Sequence, residues 1–568
     1  MLTPRYRVRF ERNVEVPMRD RTVLRADLYL PDAPGPFPAL VQRTPYNKAY
    51  LPVVYTLDPL RAAGAGYAVL NQDTRGRFAS DGAFRPFRDE AEDGYDTVEW
   101  AAAQPWCNGE VGMLGASYVG ANQLHAAALR PPHLAAIAPW ITAADYHEGW
   151  TYQGGAFCLG FNLNWTLTRL APDALRRRGE GTDAVVAATD ALAETYRRLP
   201  LTAVPELREA APFYLDWLAH PDDGPYWRAI RIADAYDRID VPPFHLGAWY
   251  DIFLNGTLRN YAGLGGKLVV GPWVHSVDLS NLAGEVDFGL RAGRYAFDLD
   301  GVLLRWFDRW LKGERNGVDE EPPVRIFVMG EQPEGCWRDE RAWPLARVVP
   351  TAYYLHSRGG ASSLHGDGAL STEPPADEPA DVYLADPHHP VPTRGGQNCC
   401  YPAQLPAGAY DQRSVEERPD VLVYTTPPLE HEMEVTGSIE VVLYASTSAP
   451  DADFTTKLVD VAPDGYARNL TDGILRGRYR EGTDRSRLLE PGRVYEYRID
   501  AGATSNVFRP GHRVRLEVAS SNFPRFDRNP QTGEPAAEAR VLAPALQTLH
   551  HDRAYPSRVV LPVVPRES

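Results

Sequence analysis

The first 141 residues alternate between strand-like and helical patterns, and this alternation constrains the fold more than any other feature of the sequence. Apolar runs such as ADLYL, PALVQRT and YAVLNQD are interleaved with helical stretches such as DGYDTVEWAAAQ and VGANQLHAAAL. Strands that alternate with helices are typical of βαβ units on a mostly parallel sheet. The pattern therefore predicts an α/β domain whose first part is residues 1–141.

The pattern changes three times further along the chain. Residues 142–240 lose strand character and become rich in Trp and Ala, with DAVVAATDALAETYRRL predicted as an amphipathic helix. Strand-like runs return in residues 241–320, so the middle segment is interpreted as a helical insertion in one sheet. In residues 321–568 short strands are separated by Pro, Gly and Asp turns, which predicts a β-sandwich or jelly roll.

The charge of the chain limits the partners that it can bind. The formal net charge of −16 argues against nucleic acid or an anionic membrane as the main partner, because both favour clustered Lys and Arg. No run of about 18 apolar residues occurs, and the first residues lack the apolar core of a signal peptide. We expect a cytoplasmic protein, and whether identical chains assemble stays open.

The five cysteines are few, odd in number and irregularly spaced. This pattern fits neither a disulfide framework nor a paired zinc site. We therefore expect reduced cysteines, no metal and no cofactor.

The stretch GMLGASYVGA sets Ser117 between two glycines, Gly115 and Gly120, after a strand-like run and before a helical one. One interpretation is a tight strand-to-helix turn that lifts a nucleophile above an α/β sheet. The other is a packing contact that needs small residues.

The rest of the chain favours the first interpretation. A serine nucleophile needs a base and a carboxylate that orients the base, and in α/β-hydrolases these follow in the order Ser, acid, His. HLGAWYDIF places Asp251 just beyond a predicted strand, and His275 directly follows the next strand, KLVVGPW. Open α/β sheets build their sites at such strand ends. A helix cap for Asp251 and a hydrogen-bonded loop histidine for His275 are the structural alternatives.

Several motifs, in order, resemble one family of serine hydrolases. PWCNGEVGMLGASYVGANQLHAA, WYDIFLNG, GPWVHS and SSNFPRFDRNPQTGE are similar to the cocaine esterase and X-Pro dipeptidyl-peptidase group, which includes glutaryl-cephalosporin acylases and α-amino acid ester hydrolases. The resemblance covers nearly the whole chain. It implies an α/β-hydrolase domain with an inserted helical cap and a C-terminal β jelly roll. It also implies an elbow whose second glycine comes three residues after the serine, here Gly120, with Val119 where the commoner motif has glycine.

The resemblance further implies an oxyanion hole made by a tyrosine hydroxyl and a backbone N–H. RTPYNK places Tyr46 at the matching position, and the N–H belongs to Tyr118, the residue after the serine. A buried tyrosine with a satisfied hydroxyl is the alternative for Tyr46.

The cap aromatics Trp150, Phe161 and Trp165 are considered for an acyl pocket, although each could equally belong to the core. Phe253 is the better candidate, because it comes two residues after Asp251 and the nucleophile's environment must lie close by. The expected activity is hydrolysis of small-molecule esters, or amides, of apolar or aromatic acyl groups through an acyl-enzyme. X-Pro dipeptidyl-peptidase or β-lactam acylase activity is the alternative. DIFLNG, after the candidate acid, carries no second carboxylate for a substrate ammonium group, which weighs against peptidase activity. An inert hydrolase scaffold with a carbohydrate-binding jelly roll is the alternative from another class.

Overall fold

The protein is described by a computed structural model that covers residues 5–50, 56–330, 335–400 and 403–565. Up to residue 340 its strands are β1 (Val8–Pro17), β2 (Val23–Pro31), β3 (Phe37–Thr44), β4 (Ala68–Asp73), β5 (Cys107–Ala116), β6 (Leu134–Trp140), β7 (Tyr152–Gln153), β8 (Ala156–Phe157), β9 (Phe244–Tyr250), β10 (Lys267–Val274), β11 (Leu282–Ala283), β12 (Val286–Asp287), β13 (Val324–Val328) and β14 (Cys336–Glu340).

Ten of these strands form one sheet in the described part of the chain, in the order β1-β2-β4-β3-β5-β6-β9-β10-β13-β14. The strands from β4 to β13 in this order pair in parallel, whereas β1, β2 and β14 pair antiparallel at the two edges. Every residue of β4 and of β9 is buried. Strands that are covered on both faces have nearly continuous runs of apolar residues, and such runs are what the sequence analysis uses to predict them.

Helices cover the two faces of this sheet and also fill the segment between β6 and β9. The helices that belong to the sheet's own connections are Pro59–Gly64, Glu90–Ala102, Tyr118–Ala127, Leu254–Leu264, Arg294–Phe297 and Leu299–Leu311, with a 3₁₀ turn at Leu290–Ala292. Those between β6 and β9 are Leu159–Trp165, the π-helical turn Thr166–Leu170, Ala171–Arg177, Asp183–Asp190, Leu192–Thr195, Pro212–Ala219 and Pro225–Arg228, with 3₁₀ turns at Pro205–Leu207 and Ile232–Arg238. This predominantly helical segment lies where the sequence predicts an insertion.

One helix prediction within the insertion needs correction. DAVVAATDALAETYRRL forms two short helices, Asp183–Asp190 and Leu192–Thr195, because Ala191 between them leaves the helical region at φ −97° and ψ 34°. The buried positions Val185 and Ala188 in the first helix and Leu192 in the second keep the amphipathic pattern across the break. Hydrophobic periodicity alone therefore misses the interruption.

The C-terminal part is β-rich. Its strands are β15 (Val349–His356), β16 (Ala369–Ser371), β17 (Asp381–Ala385), β18 (Leu422–Thr425), β19 (Met433–Thr447), β20 (Asp453–Val461), β21 (Ala467–Arg476), β22 (Tyr495–Phe508), β23 (Arg513–Ala519), β24 (Ala545–His550) and β25 (Arg558–Val564), with short helical turns at Arg413–Glu416 and Gly477–Tyr479. They pair in the order β17-β24-β19-β25-β15-β16-β18-β23-β20-β21, and β22 pairs with β19. Almost all of these pairs are antiparallel, as in β-sandwich domains.

The first sheet extends beyond residue 320, where the sequence analysis ends the α/β part. Strand β13 pairs in parallel with β10, and β14 pairs antiparallel with β13. A short apolar run such as VRIFV carries no signal for which of two sheets it joins. By sheet membership the β-rich part therefore begins at β15.

The β-rich part shares an apolar core with the first sheet. One continuous cluster of buried side chains includes Trp249 and Val270 from the first sheet together with Val441 and Leu516 from the second. Apolar surface buried between two parts of a chain contributes roughly 25 cal/mol per Å² to their association. The two parts are thus packed as one body around this cluster.

Two further observations concern the cysteines and the helices. Cys399 and Cys400 form a disulfide, which corrects the expectation of reduced cysteines. A disulfide between adjacent residues closes no loop of the chain, so the spacing rules for disulfide frameworks do not predict it. Cys107 and Cys158 are buried free thiols. Among the described residues, no helix combines the length and the apolar character that a bilayer crossing requires.

Candidate active site

Ser117 lies at the sharp turn between β5 and the helix Tyr118–Ala127. Its backbone adopts φ 61° and ψ −124°, a conformation that an L residue holds only when its surroundings enforce it. Two hydrogen bonds hold it there: the Ser117 N–H donates to the Trp140 carbonyl at 3.0 Å, and the Thr142 hydroxyl donates to the Ser117 carbonyl at 2.8 Å. The turn therefore presents the hydroxyl at the carboxyl end of the sheet.

The two glycines that flank the serine are each required by a close contact. Gly115 has φ 144°, and a Cβ atom there would collide with the side chain of Val119. A Cβ atom on Gly120 would lie 2.9 Å from the Trp140 carbonyl oxygen, so the helix could not pack against β6. The small residues thus make both the turn and the packing contact, and the two interpretations of the motif are compatible.

A chain of hydrogen bonds joins Ser117 to the other two candidate residues. The Ser117 hydroxyl donates to His275 Nε2 at 3.1 Å, and His275 Nδ1 donates to Asp251 Oδ1 at 2.6 Å. Asp251 is fully buried at the end of β9, and His275 directly follows β10. The neighbouring ends of parallel strands bring together side chains that are far apart in sequence.

Tyr46 lies beside the serine, after the end of β3. Its hydroxyl interacts with the Ser117 side chain and accepts a hydrogen bond from Trp165 Nε1 at 3.1 Å. Burial raises the pKa of Tyr46 to about 12, although Trp165, Arg169 and Ser117 act in the opposite direction. The hydroxyl therefore stays protonated at neutral pH and can donate a hydrogen bond.

Tyr118 contributes its main chain to the site and its side chain to the core. As the first residue of the helix, its N–H has no helical acceptor one turn earlier. Its hydroxyl donates to Glu90 at 3.0 Å and accepts a hydrogen bond from the Phe87 N–H at 2.9 Å. The anchored side chain fixes the helix start, and the N–H is left to face a ligand.

Arg77 connects the Tyr46 loop to the helical insertion, and the sequence analysis did not identify it. Its guanidinium is almost completely buried and donates to the carbonyls of Pro45, Arg169 and Leu170, each at 2.9 Å. Burial lowers the pKa of Arg77 to about 10, which the nearby Asp173 partly offsets. The only signal in the sequence is the second arginine of RGR, which composition cannot distinguish from the first.

A cavity of about 510 Å³ opens above the serine. Ser117 and His275 form part of its wall together with mainly apolar and aromatic side chains, among them Phe161, Trp165 and Leu405. Two exposed charged residues, Arg169 and Asp278, also line it. A cavity of this size and polarity suits a small, largely apolar ligand.

The four aromatic residues that the sequence analysis selects occupy two layers. Phe161 and Trp165 line the cavity, whereas Trp150 and Phe253 are not among its lining residues. Trp150 stacks on Phe253 with ring centroids 4.3 Å apart, and Phe253 contacts the His275 ring edge-on at 5.2 Å. Trp150 and Phe253 therefore form a second layer, which packs against the cavity-lining aromatic residues and against the His275 ring.

The β-rich part also contributes to the cavity through a loop whose described residues are 395–400 and 403–409. Cys400, Leu405 and Ala407 line the cavity, and the Gln397 side chain donates to the Trp249 carbonyl of β9 at 3.1 Å. Sequence reasoning did not find these residues. No local pattern could have revealed them, because the contact joins two distant parts of the chain.

The comparisons with known proteins agree with this architecture. Residues 20–277 match the family model of the X-Pro dipeptidyl-peptidase (S15 family), and residues 316–560 match that of the X-Pro dipeptidyl-peptidase C-terminal non-catalytic domain. The chain is 40% identical to the cocaine esterase of Rhodococcus sp. (strain MB1 Bresler), over 98% of each chain.

Solved structures show the same fold over the full length. An aminopeptidase from the marine sediment archaeon Thaumarchaeota archaeon has a TM-score of 0.80 at 26% identity, covering 100% of this chain and 98% of that one. An α-amino acid ester hydrolase has a TM-score of 0.78 at 26% identity, covering 99% and 98%. The chain belongs to the cocaine esterase and X-Pro dipeptidyl-peptidase family of serine hydrolases, and it is a serine ester hydrolase.

Proposed function

We propose that this member of the family hydrolyses carboxylic esters of apolar or aromatic acyl groups by two-step acyl transfer. His275, oriented by Asp251, takes the Ser117 proton while the serine oxygen attacks the ester carbonyl carbon. His275 then protonates the leaving alcohol, and the acyl group stays on Ser117. Water, deprotonated by His275, attacks the acyl-enzyme and releases the acid.

The oxyanion of each tetrahedral intermediate accepts hydrogen bonds from the Tyr46 hydroxyl and the Tyr118 N–H. Both donors are fixed before substrate binds, because Arg77 holds the Tyr46 loop and the Tyr118 side chain anchors the helix start. Donors that need no reorganisation stabilise charge that develops in the transition state.

The hydrogen-bonded chain Asp251–His275–Ser117 at the mouth of an apolar cavity is the observation that carries this proposal. The cavity supports an uncharged acyl group, because its only charged lining residues among those described, Arg169 and Asp278, are exposed and opposite in sign. A free α-ammonium group would have no buried carboxylate to pair with there. The cocaine esterase among the relatives is named for an ester substrate, which supports the same class of reaction.

The experiment that tests the proposal is labelling with a fluorophosphonate, which reacts only with an activated serine. We expect stoichiometric labelling of the wild type and none of Ser117→Ala. A wild type that stays unlabelled would contradict the proposed nucleophile and favour an inert scaffold.

A substrate panel separates the remaining alternatives. We expect turnover of p-nitrophenyl and benzoate-type esters to exceed that of X-Pro anilides and of β-lactam amides. Preferred cleavage of an X-Pro anilide would assign the dipeptidyl-peptidase activity instead. Retention on immobilised carbohydrate without ester turnover would assign the binding-module alternative.

A further inference from the structure

Three side chains with metal-binding atoms meet at the edge of the cavity. The ligand atoms of His275, Cys399 and Cys400 all lie within 4.8 Å of one another, and no other group of three histidine, cysteine or acidic residues in the described ranges is so placed. Cys399 is buried, whereas Cys400 is exposed and lines the cavity. A small ion that enters the cavity therefore meets His275 and Cys400, and the Cys399 sulfur lies within 4.8 Å of the ligand atoms of both.

The oxidation state of the cysteine pair decides what this cluster can bind. In the disulfide neither sulfur carries a thiolate, and only thiolates are strong metal ligands. A trialkylphosphine reduces the pair: phosphorus takes the oxygen of one water molecule, and the two hydrogens of that water complete the two thiols. Two thiolates and an imidazole are the ligand set that zinc and other soft divalent cations prefer.

We propose that the reduced Cys399–Cys400 pair and His275 form a binding site for a thiophilic divalent cation such as Zn²⁺ or Cd²⁺, and that an ion bound there stops ester hydrolysis. Each thiol releases one proton to solvent as the ion binds, so the two resulting thiolates balance the double positive charge of the ion. The disulfide form has no such site.

The effect on hydrolysis follows from the two nitrogens of the histidine and rests on the base role proposed above. His275 Nδ1 is engaged by Asp251 at 2.6 Å, so Nε2 carries the lone pair that an ion can take. Nε2 is also the atom that accepts the Ser117 proton. An ion on Nε2 leaves the serine without its base.

The test uses the full chain and Cd²⁺ as the probe, in the reduced and in the disulfide form, after the phosphine has been removed under argon. Binding is followed by the thiolate-to-cadmium charge-transfer absorbance and hydrolysis by p-nitrophenyl ester turnover. We expect the reduced wild type to bind one ion per chain and to lose at least about 10²-fold in turnover, because general-base catalysis is blocked, and to recover on addition of a chelator. The disulfide form should keep its turnover.

Matched variants locate the site. Cys399→Ser and Cys400→Ser, each compared with and without Cd²⁺ against its own baseline, should weaken Cd²⁺ binding by at least about tenfold. Cys336→Ser, which replaces a cysteine outside the cluster, should bind and respond as the wild type does. Equal inhibition of the reduced and disulfide forms, or of the wild type and both cluster variants, would overturn the proposal.

Measuring Cd²⁺ binding directly tests the metal site independently of the proposed ester hydrolysis. Ser117→Ala should still bind Cd²⁺ in the reduced form, although it hydrolyses nothing. Absence of the charge-transfer band in that variant and in the wild type would overturn the metal site and leave the ester hydrolase proposal intact.

Discussion

Asn398 forms a parallel β-bridge with Asp251, so a loop of the β-rich part is attached directly to the strand end that carries the candidate acid. The Asn398 side chain is fully buried and donates to the carbonyls of Gly395 and Pro406, both at 2.8 Å. These contacts fix the loop whose next residues form one wall of the cavity. The β-rich part is therefore built into the candidate site.

Removal of the β-rich part should abolish activity. A chain shortened to residues 1–345 keeps β13 and β14 but exposes the apolar cluster that both sheets share, and such a surface promotes aggregation. We expect this chain to be insoluble, or soluble without ester turnover, as judged by size-exclusion chromatography and a p-nitrophenyl ester assay. A monomeric chain with wild-type turnover would show that the β-rich part is a separate module.

Tyr46→Phe tests the proposed oxyanion donor. We expect turnover to fall by about 10² to 10³-fold, because a donor to the developing charge is lost while the ring stays in place. Tyr50→Phe is the matched control, since it removes a hydroxyl from the same cavity, and should lower turnover far less. Thermal melting checks that both variants are folded, and a Tyr46→Phe rate within threefold of the wild type would assign the hydroxyl a structural role only.

Arg77→Lys tests the connection between the Tyr46 loop and the insertion. A lysine keeps the charge but cannot reach three carbonyls at once, and displacement of a catalytic group by about 1 Å can cost about 10²-fold in rate. We expect a loss of that order in kcat. Arg75→Lys is the control, because Arg75 pairs with Asp93 and Asp20 and makes no contact with the Tyr46 loop; equal losses in both variants would contradict the role of Arg77.

Glu148→Gln should change how stability depends on pH. Burial raises the pKa of Glu148 from 4.5 to about 8, and the neighbouring Asp145 adds to the shift. The folded state therefore binds a proton more tightly than the unfolded state, so this group's contribution to stability is complete below about pH 4.5 and is lost as the pH rises through about 8. We expect the melting temperature of Glu148→Gln to exceed that of the wild type increasingly across this window.

The control for that prediction is Glu194→Gln, a change on an exposed residue of the same inserted segment. It should melt in parallel with the wild type at every pH. If Glu148→Gln also runs parallel to the wild type, the carboxyl group is ionised in both states.

The fold and the catalytic candidates could be predicted from the sequence because their signals are local. Buried parallel strands read as apolar runs, and the carboxyl ends of β5, β9 and β10 carry Ser117, Asp251 and His275 directly after them. That these three residues act together was expected from their order and from their positions directly after strand ends. Their catalytic roles remain predictions until the serine is labelled.

The remaining features depend on contacts between distant parts of the chain. The hydrogen bonds of Arg77 and the position of Cys400 in the cavity wall need the assembled fold, and no residue pattern near them differs from that of an ordinary loop. The sequence also does not show how deep an aromatic ring lies: it favoured Phe253 as the pocket residue, whereas Phe161 and Trp165 line the cavity. The sequence likewise does not show which of the two sheets β13 joins.

The proposed catalytic residues and one wall of the cavity belong to different stretches of this polypeptide. The proposed catalytic residues Ser117, Asp251 and His275 follow strands of the parallel sheet, whereas Cys400, Leu405 and Ala407, which line the cavity, come from a loop of the β-rich part. Substitutions at Leu405 and Ala407 should alter which esters fit, because these residues line the cavity and lie outside the cluster with His275. Related enzymes could thus diverge in substrate range through this loop, and a library at residues 403–407 tests whether the ester preference changes.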